Sequence, residues 1–180
     1  MAQRTYPDWA EVRTAVLDSA ILAVACLATY LVVTRLLSQL YFISRADTLL
    51  GGMWAVIATV FVIRESYSQS LSAAASRMAA TSVSFLLCLL YLIFLPFHSW
   101  ALAVLIGASA LAVALIGRPQ DAITAGITTA VVLVVAAVSP HEAWQQPILR
   151  LADTIIGVAV GVGAAWIGLR VLRPRITRAR

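Results

Sequence analysis

Lysine is absent from this 180-residue chain, and charge of any kind is scarce: 12% of residues are charged and 62% are hydrophobic. Soluble domains carry about 25% charged and 45–50% apolar residues. The polar coat of a water-soluble fold is therefore missing, and so is the high charge of a disordered chain. The two cysteines, Cys26 and Cys88, lie inside apolar runs and read as small core residues, which excludes a disulfide scaffold. Two histidines, His98 and His141, add too little for a metal site, and no metal or other cofactor is expected. Acids, histidines and arginines fall at the ends of the apolar runs, so a buried proton relay is not visible. There is no P-loop, no lipase elbow and no patterned nucleophile with its base, so no catalytic residue and no enzyme are expected. Gly161-Val-Gly163 is no nucleotide fingerprint, since it sits mid-run and follows no strand.

What is present is long apolar sequence. Six runs stand out, at about 15–37, 49–63, 78–95, 99–117, 122–139 and 151–169. Most approach the ~20 residues that cross a ~30 Å hydrocarbon layer as helix. Alternating barrel patterning is absent. The expected fold is all-α, a polytopic membrane protein with six transmembrane helices. Residues 1–14 form a cytoplasmic N-terminal segment, 15–172 the membrane domain and 173–180 a basic cytoplasmic tail. Asp8, Glu11 and Asp18 precede the first run, which is longer than a signal-peptide core, so a cleaved signal is not expected.

The arginines set the orientation. With six spans, Arg4, Arg13, Arg64, Arg77, Arg118 and the tail Arg170, Arg173, Arg175, Arg178 and Arg180 share one side, while Arg35, Arg45 and Arg150 hold the other. The positive-inside rule then places both termini in the cytoplasm. The net charge of +5 is explained by anionic lipid at the tail rather than by nucleic acid, which is not an expected partner. Trp100 and Trp144 are placed as outer-interface anchors.

A faint internal repeat runs through these few polar residues. At an offset of 73, Arg45 falls on Arg118, Arg77 on Arg150, Ala79 on Ala152 and Thr81 on Thr154. Two three-helix units in one membrane must be oppositely oriented, the inverted-repeat design of many transporters. Arg77, Thr81, Ser84 and Cys88 form one stripe, and Arg150, Thr154, Gly157 and Gly161 repeat its spacing. Each arginine is expected in the first turn of its helix. A cation there opposes the macrodipole, and with free backbone N–H groups it makes a receptor for carboxylate or phosphate. Other accounts stand beside this one. Arg77 also fits a headgroup anchor, Arg150 an ion pair with Asp153, and Gly157 with Gly161 a small-xxx-small packing face.

The second run is short and opens with Gly51-Gly52 before Trp54, and the fifth carries Thr124, Gly126, Thr128 and Thr129. Short or glycine-interrupted spans at matched places point to a substrate path, and equally to packing. Arg64-Glu65 at the end of the second run suits a gate or a local salt bridge. Arg118 and Asp121 frame the turn into the fifth run, where Pro119 and Asp121 suit a helix start.

Trp54-Ala-Val-Ile-Ala-Thr, then Ser70-Leu-Ser-Ala-Ala-Ala-Ser-Arg77-Met-Ala-Ala-Thr81 and a long apolar run, resembles the fusaric acid resistance family. That family includes the aromatic acid exporters and is distantly similar to plant aluminium-activated malate transporters. Ile123-Thr124-Ala-Gly-Ile-Thr128 and Ile148-Leu-Arg150-Leu-Ala-Asp153-Thr-Ile-Ile-Gly157 look like its later helices, so the resemblance covers about residues 10–172. A Gly-Thr pair usually follows the third-helix arginine in that family, where Ala80-Thr81 stands here. The resemblance implies export or channel-like passage of organic anions, aromatic carboxylates especially, across a bacterial inner membrane. It further implies a homo-oligomer, with a dimer favoured by the plant relatives. Many family members add a large cytoplasmic domain; a bare membrane module is expected here.

The expected function is transport of a small organic anion by a lipid-embedded protein, with Arg77, Arg150, Trp54, Thr81, Thr124 and Thr128 at the substrate. Arg64, Glu65, Arg118, Asp121 and Asp153 serve as gate or ion pairs. The alternative is a non-transporting membrane scaffold or partner-binding subunit, using its small-residue faces on partner helices.

Overall fold

The computed structural model describes residues 8–37, 39, 45–64, 66–138 and 143–168. They form α1 (Trp9–Leu37), α2 (Arg45–Val62), α3 (Tyr67–Phe94), α4 (Ser99–Leu115), a 3-10 turn at Pro119–Asp121, α5 (Ala122–Val138) and α6 (Gln145–Ile167). Five helices, with the turn counted into α5, are long and apolar enough to cross a membrane by length and composition; α4 is equally apolar but shorter, at 17 residues.

Several helices begin before their apolar runs. α3 starts at Tyr67, eleven residues ahead of the expected Met78, because Ser66 caps it and accepts from the Gln69 N–H at 3.3 Å. The stretch Tyr67–Ser76 holds three Ala, the best helix former, among four Ser that lower its hydropathy without breaking the helix. α6 likewise starts at Gln145, with Pro147 in its first turn where proline needs no N–H partner. α2 reaches back to Arg45 and has 18 residues, so the second span is longer than the apolar run that signals it.

Helix directions follow from the contacts. Asp47 bonds Gln146, Trp54 bonds Thr154 and Thr59 bonds Gly157, so α2 and α6 run parallel with a nearly constant register. Ser76 bonds Asp121 and Ser84 Oγ lies 2.9 Å from Ala125 O, so α3 and α5 also run parallel. α1 runs antiparallel to α2: Thr29 meets Thr59, while Tyr30 and Thr34 close over Gly52.

Close approach of α2 and α6 depends on glycine. A Cβ on Gly157 would lie 2.2 Å from Ala55 O, and one on Gly161 3.1 Å from Val62 Cβ. Lipid gives helices little hydrophobic reason to associate, so backbone proximity and cross-helix hydrogen bonds hold this pair. Thr59 Oγ1 supplies such a bond, 2.9 Å from Gly157 O and 2.9 Å from Thr29 Oγ1. With only one proton to give, Thr59 donates to Gly157 O when Thr29 donates to Thr59. The packing account of Gly157 and Gly161 is thus realised.

Buried faces recur with a fixed spacing. Ala74, Arg77, Ala80, Thr81, Ser84, Cys88 and Leu92 are buried on α3, and the positions 73 residues later are buried on α6: Pro147, Arg150, Asp153, Thr154, Gly157, Gly161 and Ala165. On α2 the buried set is Gly51, Gly52, Trp54, Ala55, Ala58, Thr59 and Val62; each residue 74 further on is buried on α5. Trp54 therefore corresponds to Thr128, Arg77 to Arg150, and Ala80 to Asp153.

Candidate functional site

The centre of the bundle is polar, which its sequence pattern hides. Arg77 is 3% exposed and Arg150 1%, with Asp153 and Thr154 at 0%. The expectation that charge stays at span ends is corrected for α3, whose helix starts well before its apolar run and carries Arg77 inside it, whereas Arg150 and Asp153 are buried but close to the start of α6. Arg77 stands ten residues into α3, about 15 Å from its start. Arg150 is in the second turn of α6. Neither is in a first turn, so the free backbone N–H groups of a helix start do not serve either arginine.

The two arginines have different surroundings. Arg150 Nη1 lies 3.1 Å from Asp153 Oδ2 on the next turn. Arg77 has no acidic group within 4 Å among the described residues. Its guanidinium carbon lies 5.0 Å from the Trp54 ring centroid and 5.1 Å from that of Phe61. Trp54 and Phe61 are two turns apart on one face of α2, so both rings turn toward α3. Contact with an aromatic face stabilises a cation by about 0.5–2 kcal/mol, more when desolvated. That is small beside the cost of burying an unpaired charge. Nε and Nη2 of both arginines find no hydrogen-bond partner among the described residues, and neither does the buried Thr81 Oγ1, one turn after Arg77.

Trp54 is fixed by its other end. Its indole N–H donates to Thr154 Oγ1 at 3.1 Å, and Thr154 Oγ1 donates to Arg150 O at 2.8 Å. One chain of contacts thus runs from Arg150 through Thr154 and Trp54 to Arg77. The structure brings the expected Arg150, Trp54 and Arg77 together through Thr154, with Thr81 beside Arg77 along α3. Thr128 is buried and donates to Thr124 O at 2.8 Å, while Thr124 itself is half-buried. These two sit on α5, the counterpart of α2.

At one end of the bundle Arg118 Nε pairs with Asp121 Oδ2 at 2.9 Å, and Asp121 also accepts from Ser76. A groove of about 390 Å³ opens there, lined by Arg64, Gln69, Ser72, Ser76, Arg118 and Asp121. Arg64 is exposed, and its backbone N–H donates to Ser70 Oγ at 3.1 Å. Glu65 lies outside the described residues, as do His141 and the tail arginines.

Some residues of the site escape a reading of the sequence. Phe61 is one, although its position seven residues after Trp54 puts it on the same helical face. Thr59 is another; a lone hydroxyl facing a glycine helix was the available signal. The Gln146 Nε2 bond to Asp47 Oδ1, at 3.0 Å, ties the far end of α2 to α6 across regions that read as loop.

Long apolar helices around a buried arginine centre define an integral membrane protein whose interior is built for charge. The chain belongs to the fusaric acid resistance protein-like family, whose model matches residues 39–164. None of the curated proteins and none of the solved structures matches it. Membership in this family points to a membrane transporter.

Proposed function

We propose that this protein carries organic anions, aromatic carboxylates foremost, across a bacterial inner membrane through a six-helix unit of two inverted repeats. The observation that carries the reading is Arg77: a cation 3% exposed, without an acid beside it among the described residues, held against Trp54 and Phe61. An unpaired buried cation is costly unless an anion visits it. The rings that contact it offer an aromatic solute a stacking surface. A scaffold that used its arginines on lipid headgroups would leave them exposed, as Arg77 and Arg150 are not.

Supporting observations come from each level. The recurrence of buried faces on α2 with α5, and on α3 with α6, is the pattern of two equivalent halves, and the two parallel pairs α2–α6 and α3–α5 exchange under it. The groove at Arg64 and Arg118 is also lined by Ser76, which directly precedes Arg77 in α3. In this reading Arg77, Trp54 and Thr81 receive the anion. Arg150 is the cation of the opposite half, and Thr124 and Thr128 line the path there. Arg64, Arg118 and Asp121 form the mouth, with Glu65 beside it, and the excess of arginine on one side supports a reading with both termini in the cytoplasm.

The test is reconstitution of the full chain into liposomes with benzoate or malate inside. Efflux well above protein-free vesicles, with no acceleration of uncharged benzyl alcohol, supports the reading. Equal efflux with and without protein for both anions overturns it.

A further inference from the structure

The two halves treat their arginines differently at one position. On α6, the residue three after Arg150 is Asp153, and the pair closes at 3.1 Å. On α3, the residue three after Arg77 is Ala80, whose place in the recurring buried face is that of Asp153. Ala80 is 0% exposed and packs near Val113 and Ala125, so a methyl group fills the position where the other half has a carboxylate. Around it stand donors without acceptors: Arg77 Nε and Nη2, as on Arg150, but here with no acid in reach among the described residues, and the Thr81 hydroxyl. In the other half the equivalent threonine, Thr154, is engaged by Trp54 and by Arg150 O.

We infer that Asp153 is a built-in carboxylate that occupies the anion position of Arg150, and that the carboxylate of the transported anion takes the corresponding position beside Arg77 and Thr81, which Ala80 leaves without a charge. The inference rests on the anion-carrying reading above and sharpens it. The protein then holds one anion per chain rather than one per arginine, and the residue at position 80 decides whether it binds any. Carboxylate to guanidinium is a charge-assisted pair, strengthened where water is excluded. The Arg150–Asp153 pair shows that an acid three residues on reaches its arginine in this helical setting.

Three variants of the full chain in detergent test this, with benzoate titrated by calorimetry. Wild type is expected to bind one benzoate per chain. Ala80→Asp is expected to weaken binding at least tenfold, while Ala80→Asn, of equal size and without the charge, retains binding within about threefold. Asp153→Asn is expected to raise the stoichiometry to two, and that arm stands even if position 80 tolerates no larger side chain. If wild type binds one benzoate but Asp153→Asn also binds one, and Ala80→Asp matches Ala80→Asn wherever both fold, the inference is overturned while anion carriage survives. If wild type binds no benzoate and moves none in liposomes, both fall together.

Discussion

The indole of Trp54 works in two directions: its N–H donates to Thr154 Oγ1 on α6 at 3.1 Å, and its ring lies 5.0 Å from the Arg77 guanidinium on α3. One side chain therefore joins three helices and separates two functions, a hydrogen bond that fixes geometry and a π face that steadies a cation. Trp54→Phe removes the first and keeps most of the second. It is expected to lower stability by about 1 kcal/mol, the net worth of one buried hydrogen bond, with benzoate efflux preserved. Trp54→Leu removes both, and efflux is expected to fall with it. Thermal unfolding in detergent and liposome efflux, measured on both variants, check the separation.

The α2–α6 contact ranks three glycines. Gly157→Ala places a methyl 2.2 Å from the backbone oxygen of Ala55, which no side-chain motion relieves. The helices must move apart, and a loss of about 1–3 kcal/mol or more is expected from overpacking. Gly161→Ala meets Val62 and Thr59 O at 3.1–3.2 Å and is expected to cost less. Gly163→Ala has nothing within 4 Å and is expected to be neutral or slightly stabilising. Melting temperatures in that order bear the packing out; a neutral Gly157→Ala contradicts it.

Asp153→Ala leaves Arg150 buried without its nearest acid. Breaking a buried pair by removing one partner costs about 3–5 kcal/mol, whereas replacing both by apolar residues is often neutral. Asp153→Ala is thus expected to be far less stable than the double variant Arg150→Met, Asp153→Leu. Added benzoate is expected to raise the midpoint of wild type and of the double variant alike, through Arg77, and that of the single variant further, because Arg150 has lost its own acid. Unfolding midpoints with and without benzoate decide this.

At the groove, Asp121 is 4% exposed and bonds both Arg118 and Ser76, while Arg118 is about one-third exposed. Arg118→Ala removes a partly screened pair and is expected to cost about 1 kcal/mol or less. Asp121→Ala also strips Ser76 of its acceptor and is expected to cost more. Equal effects from the two contradict the placement of Asp121 as the tie between the turn and α3.

Much of this architecture can be read from the chain. Apolar runs announce the helices, and Arg77 with Arg150 at an offset of 73 already marks the matching faces of α3 and α6. Helix starts were not legible, because hydropathy measures affinity for lipid and not for helix. Tyr67–Ser76 continues α3 from the Ser66 cap through Leu71 and Ala73-Ala74-Ala75, and this moves Arg77 from a helix start into the interior. The Arg150–Asp153 pair is visible as i,i+3 spacing. The absence of a matching acid at Ala80 becomes meaningful only once the burial of both positions is known. Phe61 and Thr59 sit in an apolar run where composition gives no reason to prefer them, since their roles depend on which helix lies opposite.

The central claim, that an anion is carried on Arg77, is tested most directly by benzoate efflux from liposomes containing wild type, Arg77→Ala or Arg77→Lys at equal reconstituted amounts, with circular dichroism and size-exclusion profiles matched. Arg77→Ala is expected to reduce efflux at least tenfold, and Arg77→Lys, which keeps the charge without the guanidinium plane, to retain an intermediate rate. Efflux by correctly folded Arg77→Ala equal to wild type would contradict the claim.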